Sequence, residues 1–134
     1  MTLKCAPAML APVFLAQSGL FAERKSGPMS TETLILLCTC PDEAVAADLS
    51  RHIVEQGLAA CVNRFSGVTS VYKWDGEMQE GTEVQLVIKT SESAAGRLIE
   101  ELNKLHPYEL PEIIAVPITA GHGPYLEWIR EQTS

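Results

Sequence analysis

The chain has 134 residues, a length that fits one domain of the usual size of about 100–200 residues. It is 46% hydrophobic and 20% charged, and its 10 basic and 17 acidic side chains give a net charge of −7. The hydrophobic content argues against disorder, and the acidic excess argues against a nucleic-acid partner, which requires clustered lysine and arginine.

Residues 1–29 differ from the rest of the chain, and we expect them to form an N-terminal extension outside the folded domain. The predicted domain is residues 30–134. The alternative is a secretory or targeting signal, because a basic residue precedes a stretch of small and apolar residues at 6–16. Pro7 and Pro12 interrupt that stretch, which disfavours the helical apolar segment of a signal.

The domain begins with a buried strand and an amphipathic helix. Residues 33–39 form a continuous apolar run, which is typical of a strand buried on both faces. We expect Pro41 at the first helical position and the helix to end at Gly57. The positions at helical spacing are Val45, Leu49, His52 and Ile53. We interpret His52, at the border of this stripe, as a partly covered surface histidine rather than a ligand.

A long β-hairpin is predicted next. Its first strand covers residues 60–74 with Gly67 as a bulge, Asp75-Gly76 signals the tight turn, and residues 83–89 alternate as a strand does. The side chains assigned to the tip are Trp74, Glu77, Glu80 and Glu83. Because the hairpin exceeds the usual strand length of about 5–6 residues, two helices cannot cover it, and we expect other copies of the chain to do so.

The second half of the domain repeats the strand and helix signals. A second helix is predicted to begin after Ser91, its assigned cap, and to end at His106. A strand over residues 112–118 and a short helix from Gly123 complete the chain. The order β-α-β-β-α-β-α predicts an α+β fold, a ferredoxin-like split βαβ sandwich with an added C-terminal helix.

The cysteines and the absence of catalytic motifs limit the possible functions. The four cysteines form no disulfide framework and no Cys-x-x-Cys pair, and free thiols are typical of a reducing compartment such as the cytoplasm. The sequence has no nucleophile elbow, phosphate loop or metalloprotease motif, so we expect no enzyme. A catalytic pair of one cysteine and one histidine remains an alternative, although the spacing of these residues gives it no support. No apolar run reaches the roughly 18 residues of a membrane span, so no membrane partner is expected.

Two groups of residues are candidate metal ligands. His106, Glu109 and Glu112 lie on a proline-stiffened segment that suits a divalent cation. The alternative is that both carboxylates are solvated and His106 caps the preceding helix. Cys38 and Cys40 lie two apart in the first strand, so they share one face and suit a soft metal such as Cu(I). The alternative there is two small core residues, and a loop near the end of this strand could bring His106 close to Cys38.

Several ordered motifs resemble the CutA divalent-cation tolerance family over residues 32–133. They are LCTCPDEA at 37–44, LAACVN at 58–63, YKWDG at 72–76, EVQL at 83–86, KT at 89–90 and HPYELPEI at 106–113. The resemblance implies a ferredoxin-like protomer in a homotrimer, a cytoplasmic protein involved in the response to copper and other divalent cations, and no catalytic reaction. The alternative function is a PII-like small-molecule sensor or protein-interaction trimer.

The resemblance also implies a metal site. Bacterial family members are described as binding copper through a cysteine of the first-strand motif and histidines just before the Pro-Tyr pair. The matching residues are Cys38 and His106, which we assign as the metal ligands. The position before His106, a histidine in some members, is Leu105 here. Cys40, Glu109 and Glu112 are the other available donors, and none of them is assigned.

Overall fold

The structure is a computed structural model that describes residues 32–133. The predicted extension at residues 1–29, with its alternative as a targeting signal, lies outside the described residues. The elements are β1 (Thr33–Cys40), α1 (Glu43–Glu55), β2 (Cys61–Trp74), β3 (Glu77–Ser91), α2 (Glu92–Leu105), β4 (Ile113–Pro117) and α3 (Gly123–Gln132). Their order is the predicted one.

The four strands form one antiparallel sheet in the order β2-β3-β1-β4. Strand β1 lies inside the sheet and pairs with β3 along its whole length, from Thr33 opposite Ser91 to Cys40 opposite Val84. Its other neighbour is the short edge strand β4. The α+β class and the ferredoxin-like arrangement with an added C-terminal helix are confirmed.

Helices α1 and α2 cover one face of the sheet and form the core with it. Side chains two apart in a strand share a face, so Leu36, Cys38 and Cys40 all point into this layer. The core residues from the sheet and these two helices are Leu34, Leu36, Cys38, Cys40, Ala46, Leu49, Ile53, Val84, Leu86, Ile88, Ala95, Leu98 and Leu102. Both thiols therefore lie in the hydrophobic core, with no exposed surface.

The helix starts differ in detail from the sequence prediction. Asp42 is the N-cap of α1, and its carboxylate accepts the Val45 N–H at 2.9 Å, so Pro41 precedes the helix instead of starting it. Ser91 occupies the N-cap of α2 as predicted, but its hydroxyl makes no capping hydrogen bond. Within residues 32–133, no helix is both long and apolar enough to cross a bilayer.

The β2–β3 hairpin has the predicted turn and bulge. Asp75 and Gly76 have φ of 57° and 79°, the left-handed conformation that a tight hairpin turn of this type requires. The pairing register shifts between Phe65 and Val68, where Gly67 has a φ of 73°. Most side chains in the outer half of the hairpin are exposed, because the two core helices do not extend over it.

The face of the sheet opposite α1 and α2 is also apolar. Leu37 pairs with Val87 on one side and with Ile114 on the other, and Ile35 pairs with Val116. Ile114 is 52% exposed and Val116 is 47% exposed. The single chain therefore leaves an apolar sheet surface open to solvent, which we call the open face (Ile35, Leu37, Val87, Ile114 and Val116).

Candidate metal centre

Cys38, Cys40 and His106 meet at the carboxyl end of β1. One ligand atom from each side chain lies within 4.8 Å of the other two, and all three residues are buried. In the part of the chain that the structure describes, this group alone has three or more ligating side chains at that spacing. The structure thus brings the predicted pair together and adds Cys40, which we had not assigned.

The local sequence explains why these residues converge. The alternation of β1 directs both thiols toward the core. His106 directly follows α2, and Pro107 disfavours a helical conformation for the residue before it. His106 accordingly has an extended backbone, with φ −71° and ψ 139°, while its N–H still caps the helix on the Leu102 carbonyl. The chain leaves the helix here, and the imidazole lies against β1.

Both ring nitrogens of His106 have partners. The Tyr108 N–H donates to Nδ1 at 3.1 Å, so Nδ1 carries no proton. Nε2 therefore holds the ring proton and donates it to the Thr39 carbonyl at 2.8 Å. A neutral imidazole that binds a metal through one nitrogen carries its proton on the other. Coordination through either nitrogen would therefore break the hydrogen bond from Tyr108.

The cluster favours the thiolate form of Cys40. A hydrogen bond with the Cys38 side chain is the largest cause that lowers the Cys40 pKa from its ordinary value of 9.0 to about 6. Burial and the charge of Glu83 oppose this change, whereas the hydrogen bond with His106 adds to it. Because the thiolate is the metal-binding form of cysteine, the pocket prepares Cys40 for coordination.

Glu83 is a buried carboxylate beside the cluster, and its predicted position at the hairpin tip is wrong. It is 5% exposed and accepts hydrogen bonds from the Tyr108 hydroxyl at 2.7 Å and the Ser70 hydroxyl at 2.6 Å. Burial and this bond to Glu83 raise the Tyr108 pKa above its usual range, so the phenol stays a donor. Glu83 and Tyr108 are 25 residues apart, and no local spacing signals their contact.

The other predicted donors do not join the cluster. Glu109 is exposed, and neither it nor Glu112 belongs to the group of closely spaced ligands. The segment after α2 therefore contributes His106 to the cluster but neither of its two carboxylates. His52 is a partly covered surface residue as predicted, with Nε2 2.7 Å from the Glu101 carboxylate.

The match to known proteins covers nearly all of the described residues. The family model for the CutA1 divalent ion tolerance protein matches residues 34–132. The chain belongs to the CutA1 family. The "Divalent-cation tolerance protein CutA" of Thermus thermophilus is 46% identical over 99 residues, which are 74% of this chain and 96% of that CutA. The human "Protein CutA" is 45% identical over 95 residues, which are 71% of this chain but only 53% of the human protein.

Solved CutA structures share the fold. The Thermus thermophilus divalent cation tolerance protein superposes with a TM-score of 0.75 at 45% identity, covering 76% of this chain and 99% of that one. A CutA of Archaeoglobus fulgidus, described as periplasmic, gives a TM-score of 0.74 at 30% identity, over 76% of this chain and 99% of that one. The CutA1 fold therefore accounts for the described part of the chain, and in this chain Cys38, Cys40 and His106 lie buried within it.

Proposed function

We propose that this CutA1 family member binds copper through Cys38 and His106 and contributes to the tolerance of metal ions. The observation that carries the proposal is the group of three buried ligand atoms within 4.8 Å of one another. A thiolate with an imidazole favours copper over Mg²⁺ or Ca²⁺, which take oxygen ligands. The relatives are described as divalent-cation tolerance proteins, which supports a role in handling metals. Other divalent cations are additional candidates for binding at this site.

The spacing of the donors fits one metal ion. Metal–sulfur and metal–nitrogen bonds of about 2.0–2.3 Å allow two ligands of one ion to be at most roughly 4.6 Å apart. A cluster within 4.8 Å needs only a small contraction to reach that limit. The main rearrangement is at His106, which exchanges the hydrogen bond from Tyr108 for the metal.

We propose a binding role without a catalytic reaction. The Cys40 thiolate beside His106 resembles a nucleophile and its base. Cys38 and Cys40 have no exposed surface, however, so a substrate cannot reach either sulfur in the single chain. A metal ion is small enough to enter by local opening of the loop that begins at His106.

We propose that the protein assembles as a homotrimer. The open face supports this assembly, since Ile114 and Val116 are about half exposed and monomeric proteins seldom leave such contiguous apolar surfaces uncovered. The outer half of the hairpin supports it as well, because Val71 and Met78 are exposed there. Analytical ultracentrifugation should give three times the chain mass of 14.6 kDa, and a mass of 14.6 kDa would refute the assembly.

We propose a cytoplasmic location, without nucleic-acid or membrane partners. All three described cysteines are free, as is usual in a reducing compartment, and the net charge is −7. The periplasmic description of the Archaeoglobus protein makes the location a point for direct measurement. Cell fractionation of the full chain should recover it with cytosolic markers, and recovery with periplasmic markers would refute the proposal.

The binding proposal is tested by the amount of copper that the protein acquires in the cell and retains through purification. The full chain is produced in copper-supplemented culture, purified without oxygen, and analysed for copper per chain. Wild type should retain copper, whereas Cys38→Ser and His106→Ala should not. Cys61→Ser is the matched control, because Cys61 is a free thiol outside the cluster. Equal copper in all four proteins would refute the site and favour the sensor or interaction trimer.

A further inference from the structure

We infer that Cys40 is a third metal ligand, and that the site is a two-sulfur, one-nitrogen centre that selects monovalent copper. The inference rests on the proposed copper binding at Cys38 and His106, and it adds a ligand and an oxidation state to that site. The strand spacing makes Cys40 a candidate donor, but the family resemblance assigns only Cys38 and His106 as ligands.

Cys38 and Cys40 have equivalent positions in the cluster. Each Sγ lies within 4.8 Å of the other and of a His106 ring nitrogen, and each cysteine has no exposed surface. Alternate residues of a strand project in the same direction, so Cys38 and Cys40 both face the position that a shared ion would occupy. The two side chains already interact with each other in this arrangement.

Cys40 supplies the donor that the helix end lacks. Leu105 takes the position that the resemblance assigns to a second histidine, and it is 43% exposed at the end of α2. An apolar side chain offers no ligand atom. The third donor comes instead from β1, and it is a sulfur rather than a nitrogen. Replacing imidazole with thiolate makes the ligand set softer, which favours Cu(I).

The number of ligands points to the same ion. Structural Zn²⁺ sites almost always have four ligands, whereas the group within 4.8 Å in residues 32–133 has three. The buried carboxylate beside it, Glu83, is engaged by the hydroxyls of Tyr108 and Ser70. A three-donor site of two sulfurs and one nitrogen, closed off from solvent, matches soft Cu(I) better than four-coordinate Zn²⁺.

The test counts the sulfurs bound to copper. The full chain is loaded with Cu(I) without oxygen, and copper K-edge X-ray absorption is recorded together with affinity against a competing chelator. Wild type should show two sulfurs and one nitrogen, and Cys40→Ser should show one sulfur. Loss of a group that only supports a metal ligand lowers metal affinity about 10–100-fold. Because Cys40 is itself a ligand in this proposal, Cys40→Ser should lower the Cu(I) affinity at least about 100-fold. Cys61→Ser should match wild type.

The outcomes separate this inference from the function on which it rests. If Cys40→Ser keeps wild-type affinity and sulfur count while Cys38→Ser loses copper, Cys40 is no ligand and the copper site survives. If wild type binds copper no better than Cys38→Ser, both proposals fail. Tighter binding of Zn²⁺ than of Cu(I) in wild type would overturn the selectivity. Cys40→Ala, an apolar replacement in the core, is measured in parallel, and circular dichroism verifies that each variant is folded.

Discussion

The carboxyl end of β1 and the open face differ in how far one chain completes them. At the end of β1, Cys38 and Cys40 are fully covered by the chain's own helices and loop. On the open face, Ile114 and Val116 remain about half exposed. The single chain covers the first region and leaves the second exposed to solvent. Metal binding should therefore belong to each protomer, whereas assembly should depend on the sheet surface.

The largest expected effect separates these two regions. If the proposed trimer forms through the open face, the double substitution Ile114→Asp with Val116→Asp should convert it to monomers, because assembly would bury two unpaired charges per chain. Both positions are exposed in the protomer, so the fold and the copper bound per chain should stay at wild-type levels. Analytical ultracentrifugation and copper analysis measure both quantities. Val54→Asp, at an exposed apolar position of α1, is the control that should remain trimeric. A double variant that keeps the wild-type mass would contradict the role of the open face.

The next-largest effect is a dependence of the free energy of unfolding on pH, which Cys40 causes. The Cys40 pKa is about 6 in the folded protein, against an ordinary value of 9.0. Between these pH values the unfolded chain binds more protons, so the free energy of unfolding should rise with pH. The contribution is complete above pH 9 and is lost as the pH falls through 6. Urea unfolding of metal-free protein measures this slope.

Two variants decide whether Cys40 causes the slope. Cys40→Ala should lose it, and Cys61→Ser should keep it, because Cys61 lies outside the cluster. An unchanged slope in Cys40→Ala would mean that another group titrates between folded and unfolded states.

A smaller effect is expected where the loop after α2 meets the hairpin. Tyr108→Phe removes the donor to Glu83 and leaves a buried carboxylate with one fewer hydrogen bond. Its cost should be about 1–3 kcal/mol in the free energy of unfolding. Tyr125→Phe, at an exposed position, is the matched control and should change stability by less. Equal stability of the two variants would mean that the Glu83 contact contributes nothing measurable.

The smallest effect belongs to the surface pair between α1 and α2. His52 and Glu101 are both partly exposed, and such pairs contribute about 0–1 kcal/mol. Glu101→Gln should therefore lower the free energy of unfolding by less than about 1 kcal/mol and leave copper binding unchanged. A loss of copper in this variant would contradict the separation of this surface pair from the metal site.

The sequence predicts the fold well because local signals agree with each other. Asp75-Gly76 requires a tight turn, Gly67 allows the bulge, and the apolar run of β1 matches a central strand. The predicted start of α1 at Pro41 is wrong because Pro41 and Asp42 both suit the beginning of a helix. Proline suits the first helical position, but the Asp42 carboxylate provides the capping hydrogen bond and thereby sets the boundary.

The site was harder to predict because it depends on contacts between distant residues. The β1 alternation predicts that the two cysteines share a face, and Pro107 predicts the end of α2. Their distance from His106 depends on how α2 packs on the sheet, which spacing does not encode. Glu83 shows the same limit, since polar alternation placed it outward and Tyr108 covers it from another part of the chain.

The most direct test of metal binding within the protomer is an anaerobic Cu(I) titration against a competing chelator. Wild type, Cys38→Ser and Cys61→Ser are compared as full-length chains at matched concentration. We predict one tightly bound copper per chain in wild type and Cys61→Ser, and loss of that binding in Cys38→Ser. Copper binding of the same strength in all three proteins, or tight binding in none of them, would contradict the metal centre at the end of β1.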